Sequence, residues 1–138
     1  MKIIRLFAIL CSTLFYSLLE ASQFGYASNL IGNTVSVIDL EANEVINTID
    51  VGQITRGIAV TSDGSKVFAG GIGYIHVIDT ATNQKISEIF LGSAYSLYNV
   101  YYVTIDDKNK RFYALAQTSS RTYKIALWSS PLLNRTTC

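Results

Sequence analysis

The chain has 138 residues, 49% of them hydrophobic and 15% charged, with eleven Lys plus Arg against ten Asp plus Glu. That length suits one domain, and a composition this apolar buries enough surface to offset the entropy of ordering it, which excludes an intrinsically disordered segment. A net charge of +1, two cysteines and one histidine exclude a basic nucleic-acid footprint, a disulfide scaffold and a Cys/His zinc site of four ligands.

The first twenty-two residues predict a secretory signal helix. Lys2 and Arg5 give a basic start, Leu6 to Leu19 is an uncharged apolar run, and Ala21-Ser22 supplies small residues at its end. At ~1.5 Å rise per residue the fourteen-residue run reaches about 21 Å, short of the ~30 Å hydrocarbon core, so an uncleaved anchor is the lesser alternative. Cleavage after Ala21 or Ser22 leaves no stable membrane span and places the protein outside the cytoplasm, in the periplasm, envelope or medium. Leu10 before Cys11 departs from the small residues that precede a lipidated cysteine. The mature chain keeps one cysteine, Cys138, read as a frayed free thiol.

Beyond residue 22 the apolar period is two, the signature of strands. Runs rich in Val, Ile, Thr, Tyr and Phe predict strands near 25–28, 34–40, 44–51, 57–62, 66–71, 74–80, 85–91, 100–106, 111–117 and 122–129. Turn residues separate them: Gly32-Asn33, Glu41-Ala42-Asn43, Ser62-Asp63-Gly64, Thr82-Asn83 and Asp106 to Asn109. The chain also repeats. Val35–Gln53 (VSVIDLEANEVINTIDVGQ) aligns with Ile75–Ser93 (IHVIDTATNQKISEIFLGS) at an offset of forty, with seven of nineteen positions identical. Ile58–Gly70 aligns with Val103–Leu115 at an offset near forty-five, and Tyr123–Trp128 matches the opening of the VID strand a third time. About four strands per forty-odd residues is the arithmetic of a propeller blade. The expected fold is therefore all-β, an incomplete β-propeller of consecutive four-stranded antiparallel blades. About two and a half blades lie over residues 23–129, followed by a tail, 130–138, that matches nothing.

The repeat residues also resemble the YVTN-type propeller family. The resemblance rests on Val35-Ser36-Val37-Ile38-Asp39, Asn43, Val51-Gly52, Arg56-Gly57-Ile58-Ala59-Val60 and Asp63-Gly64, with Tyr26-Ala27-Ser28-Asn29 and Phe68-Ala69-Gly70-Gly71 at the strand-opening signature. It holds over 25–92 and fades over 93–129. It implies a bacterial or archaeal envelope or secreted setting, with relatives among lactonase-like and haem- or quinone-dependent oxidoreductases.

The acids of the repeat read as turn formers. Asp39 and Asp79 close a strand with Asn43 and Asn83 four residues on. Their oxygens can bond local N–H groups, whereas a calcium loop needs alternating oxygen ligands and a late Glu. Gly52 and Gly92 end the following strand, where positive φ or close packing excludes a side chain. No catalytic set is found. His76, the only imidazole, sits mid-strand where the first repeat has Ser36, with no nucleophile motif beside it. Gly70-Gly71-Ile72-Gly73 lacks the Lys-Ser/Thr of a phosphate loop, and Asp106-Asp107 falls in a lysine-rich turn. Asn134-Arg135-Thr136 is formally a glycosylation sequon, without presumption of use in a bacterial setting. Neither metal nor cofactor is expected.

The most unusual stretch is Ala94–Tyr102, AYSLYNVYY, with four tyrosines in an insertion about five residues longer than its counterpart 53–57. Aromatic filling between blades is the first reading of this stretch. Tyrosine also joins an apolar body to a polar tip and suits recognition surfaces, which makes Tyr95 and Tyr98 the candidate ligand-binding residues of the lesser reading, a peptide or glycan contact at the blade rim. The function expected is a non-catalytic binding or scaffold module for a protein or glycan partner, with no nucleic acid. A fragment of a propeller enzyme and a truncated remnant are the alternatives. Since closed propellers have four to eight blades, three outcomes stay open: copies closing a ring, a short stack capped by its divergent third unit, or truncation.

Overall fold

A computed structural model describes residues 23–91, 99–118, 121 and 123–129, and for 124 and 126–129 the backbone only. The leader 1–22, Tyr95, Tyr98, Gly92 and the tail 130–138 lie outside the described residues. Ten strands follow in chain order: β1 Phe24–Asn29, β2 Thr34–Asp39, β3 Glu44–Asp50, β4 Ile58–Val60, β5 Lys66–Gly70, β6 Tyr74–Asp79, β7 Gln84–Phe90, β8 Asn99–Asp106, β9 Arg111–Gln117 and β10 Tyr123–Ser129. They match the ten runs expected from the period-two pattern, with β4 shortened to three residues. The described residues hold no helix long and apolar enough to cross a membrane.

The strands form three antiparallel meanders, β1-β2-β3, β4-β5-β6-β7 and β8-β9-β10. Only the middle sheet has four strands, which corrects the expectation of four-stranded blades throughout. The reason lies in the repeat frame. By their position in the repeats, β1, β5 and β9 are equivalent, as are β2, β6 and β10, and β3 is equivalent to β7. The first sheet therefore has no counterpart of β4 among the described residues, and the third has none of β7.

The hairpin turns after β2, β6 and β8 are short and chemically specified. Asp39 Oδ1 accepts the N–H groups of Glu41 and Ala42 at 2.9 Å, and Asp79 Oδ1 accepts the Thr82 N–H and hydroxyl at 2.9 Å. Asp106 Oδ1 does the same for the Asn109 N–H at 3.1 Å. Each turn then closes through one residue in the left-handed region: Asn43 (φ 57°), Asn83 (φ 52°) and Lys110 (φ 54°). Asn33 and Arg121 repeat the device in the β1–β2 and β9–β10 connections. The expected Asp-x-x-x-Asn hairpin is thus present twice, and a third time with lysine in place of asparagine. Gly52 has φ +79°, as its place at the strand end required.

The two repeats also share an irregularity. Register slips between Val37 and Ile38 opposite β3 and between Val77 and Ile78 opposite β7, so Ile46 and Ile86 are the extra, bulged residues and both are exposed. A third bulge falls in β8, where Val100 pairs with Ala116 and Tyr102 with Leu115, leaving Tyr101 unpaired.

Period-two alternation gives every sheet two usable faces. The middle sheet buries both. Val67, Ala69 and Ile78 meet Val35, Val37, Ile49 and Val51 of the first sheet. Phe68, Ile75 and Val77 meet Val103, Phe112, Ala114 and Ala116 of the third. The rings of Phe68 and Phe112 lie 5.7 Å apart. Close approach between the second and third sheets requires glycine: a Cβ on Gly70 would lie 2.6 Å from Val100 Cγ1, and one on Gly57 2.7 Å from the Tyr102 backbone. Polar links span the same joints. Ser62 N–H donates to Asp107 Oδ2 at 2.7 Å, and Lys85 Nζ to the Val51 carbonyl at 3.0 Å.

Candidate functional site

The strands define two ends of the stack. One carries the turns after β2, β4, β6 and β8 and is rich in acids: Asp39, Glu41, Asp63, Asp79, Asp106 and Asp107. Asp63 accepts from Thr61 and from the Ser65 N–H, which pulls its pKa down to about 2. Two adjoining open hollows lie at this end. One of about 250 Å³ is lined by Phe24, Tyr26, Val60, Gly64, Thr80 and Ala81. The other, of about 400 Å³, includes Asp63, Lys66 and Asp79. The Tyr26 hydroxyl reaches Asn83 Oδ1 at 3.4 Å, and burial first, then the Asp79 charge, push its pKa up.

The opposite end carries the links between sheets, and there an aromatic and cationic cluster assembles. Arg56 is fixed through its backbone from both sides. Its N–H donates to the Gly70 carbonyl at 3.0 Å, and its carbonyl accepts the Ser28 hydroxyl at 2.7 Å. Its exposed guanidinium lies 4.9 Å from the centroid of the Tyr101 ring, a cation–π distance. Tyr101 donates to Gln117 Oε1 at 3.2 Å and tilts against Tyr123 at 6.0 Å. The bulge explains this aim. An unpaired residue leaves the strict in-out alternation, so Tyr101 turns toward the end of the sheet, while Tyr102 projects from the sheet face with 69% of its surface exposed. Of the four tyrosines singled out in the sequence, the structure therefore places Tyr101 in a cluster and Tyr102 on an open face. Arg56 was visible in the sequence only as the residue before Gly57. Nothing in its spacing marked it as a partner of Tyr101.

His76 occupies a second constellation, inside the first joint. It is fully buried. Nδ1 lies 3.2 Å from Glu88 Oε1, outside hydrogen-bond geometry, and neither ring nitrogen has a hydrogen-bond partner among the described residues. Glu88 also pairs with Lys85 at 2.8 Å. Burial is the main reason the His76 pKa falls; Glu88 opposes that shift and Lys85 adds to it. The lysine likewise draws the Glu88 pKa down. In the first repeat the corresponding pair is Asn29 and Ser36, with Asn29 Nδ2 donating to the Ser36 hydroxyl at 2.8 Å. In the second it is Gly71 and His76, and a Cβ on Gly71 would lie 2.7 Å from His76 Nε2. A large-small pair has been exchanged for a small-large one, which gives His76 a packing role. Among the described residues no three His, Cys, Asp or Glu side chains gather as a metal site would require.

The stack superposes on hydrazine synthase of Kuenenia stuttgartiensis with a TM-score of 0.68 and 26% identity, over 77% of this chain and 30% of that one. It superposes on the WD40 β-propeller domain of Doa1 with a TM-score of 0.58 and 12% identity, over 80% of this chain and 34% of that one. The chain folds as part of a β-propeller. Its three sheets are blades, and β4 and β8 are inner strands. The dihydro-heme d1 dehydrogenase NirN, solved in complex with DHE, matches with a TM-score of 0.58 and 12% identity over 80% of this chain and 26% of that one. The chain spans about a third or less of the length of each. No protein-family model matches it, and a search of curated proteins finds no relative.

Proposed function

We propose that this chain is a secreted or envelope-located propeller module of the YVTN type. It acts without catalysis, binding a protein or glycan partner at the end of the stack that carries the inter-blade links. The observation that supports the reading is the Arg56–Tyr101 stack. A bulge and two backbone hydrogen bonds hold a solvent-facing cation on an aromatic plane, and Tyr123 extends the same surface. Planar guanidinium beside phenol recognises carboxylate bidentately and sugar or peptide faces by stacking. Tyr95 and Tyr98, in the chain segment just before β8, are proposed to add to it.

The test is titration of the purified full chain against a panel of acidic oligosaccharides and peptides. Arg56→Ala is expected to weaken binding at least tenfold, about 1.4 kcal/mol, and to reduce its salt dependence, with an unchanged melting temperature. A panel on which wild type and Arg56→Ala behave alike counts against the reading. A second reading, that the chain is a segment of a propeller enzyme of lactonase or oxidoreductase type, draws on the names of two structural neighbours, a synthase and a dehydrogenase. Turnover by the purified chain would favour it.

A further inference from the structure

Among the described residues, the two outer blades each leave one face uncovered, and the two faces are opposite halves of the joint the chain already makes twice. On the third blade, Tyr113 holds the repeat position of Phe68, which is fully buried by the next blade. Around Tyr113 on that trailing face stand Leu115, Tyr102, Tyr123 and Ile125, the last three 69%, 59% and 72% exposed. On the first blade, Gly25, Ala27, Ser36 and Ile38 hold the positions of Val67, Ala69, His76 and Ile78, all fully buried by the preceding blade. Their counterparts on the first blade remain partly exposed. Within the chain, Phe68 on a trailing face packs in one cluster with Phe112, Ala114 and Ala116 of the next leading face, its ring 5.7 Å from that of Phe112. The open trailing face of the third blade carries aromatic residues, and the open leading face of the first includes glycine and alanine.

We propose that these faces join two copies of this chain head to tail, the trailing face of each covering the leading face of the other. Two three-blade arcs make six blades, inside the range of closed propellers, whereas three copies make nine, outside it. The stack already has a propeller-like curvature, since it superposes on a propeller domain over 80% of this chain. The joint continues an interface the fold has built twice, and it shields exposed apolar residues that a monomer leaves in water.

The experiment expresses the full chain, purifies the form the cell makes, and measures its mass in solution by light scattering across a dilution series. A discrete dimer is expected. Ile125→Arg on the trailing face and Leu40→Arg on the leading face, where the Leu40 side chain lies against the Gly25 position, should each raise the dissociation constant at least tenfold while keeping the β circular dichroism. Tyr102→Arg and Ala27→Arg serve as second variants should either fail to fold. An equimolar mixture of the two face variants should form a one-to-one heterodimer, because one intact joint remains. A wild-type monomer overturns the proposal, as does co-purification of a different polypeptide on the trailing face. A dimer sensitive to Ile125→Arg but not Leu40→Arg would be back-to-back and overturns it too.

Discussion

At the scale of single residues, the exchange of Asn29 and Ser36 for Gly71 and His76 makes a quantitative demand. Gly71→Ala drives a methyl to 2.7 Å from His76 Nε2 and should cost about 1–3 kcal/mol, as overpacking does. The double change Gly71→Asn with His76→Ser rebuilds the first repeat's pair and should recover most of that loss in chemical denaturation. The same imidazole gives a pH dependence. Burial holds its pKa below 6.5, so the unfolded chain takes the proton first as pH falls. The stability contributed by neutral His76 is present above about pH 6.5 and lost below it. Melting temperatures at about pH 7.5 and pH 5.5 should differ more in wild type than in His76→Ser. The sequence located His76 mid-strand opposite Ser36, and alternation put it on a face. It could not show that the face is covered by another blade, nor that Gly71 is small because the ring needs its space, because both facts depend on residues far away in the chain.

At the scale of strands and turns, the sequence was most readable. All ten strands were legible because runs rich in β-branched, aromatic and other apolar residues stand between turn formers, and the Asp39–Asn43 and Asp79–Asn83 hairpins declared their own chemistry. The third hairpin was harder to see because Lys110 stands where the others have asparagine, yet adopts the same left-handed conformation, φ 54°. A lysine there bears a Cβ penalty that asparagine partly avoids. Lys110→Asn should therefore stabilise the protein by about 0.5–1 kcal/mol, read as a higher urea midpoint at unchanged slope. The bulges were invisible, since an extra residue in one strand is fixed only by its partner. That is why Tyr101 and Tyr102, adjacent in sequence, could not be assigned their separate destinations: one against Arg56, the other onto an open face.

At the scale of the whole molecule, the three blades are coupled through two separate clusters, so cohesion passes from neighbour to neighbour, as in other repeat folds. Phe112→Ala removes a fully buried ring from the second joint and should cost about 3–5 kcal/mol. Hydrogen exchange should show β8–β10 losing protection before β1–β3, and uniform loss across all strands would contradict this picture. The period of forty residues implies that blades exist, but not where each one starts. Residues 34–73 contribute β2 and β3 to one blade and β4 and β5 to the next. That offset bears on how such a protein grows. A gene segment of one period, copied in tandem, would supply an outer pair for the blade behind and an inner pair for the blade ahead. The newcomer would be sewn to both neighbours by covalent thread, with no strand left over, so elongation by duplication can keep every intermediate length foldable.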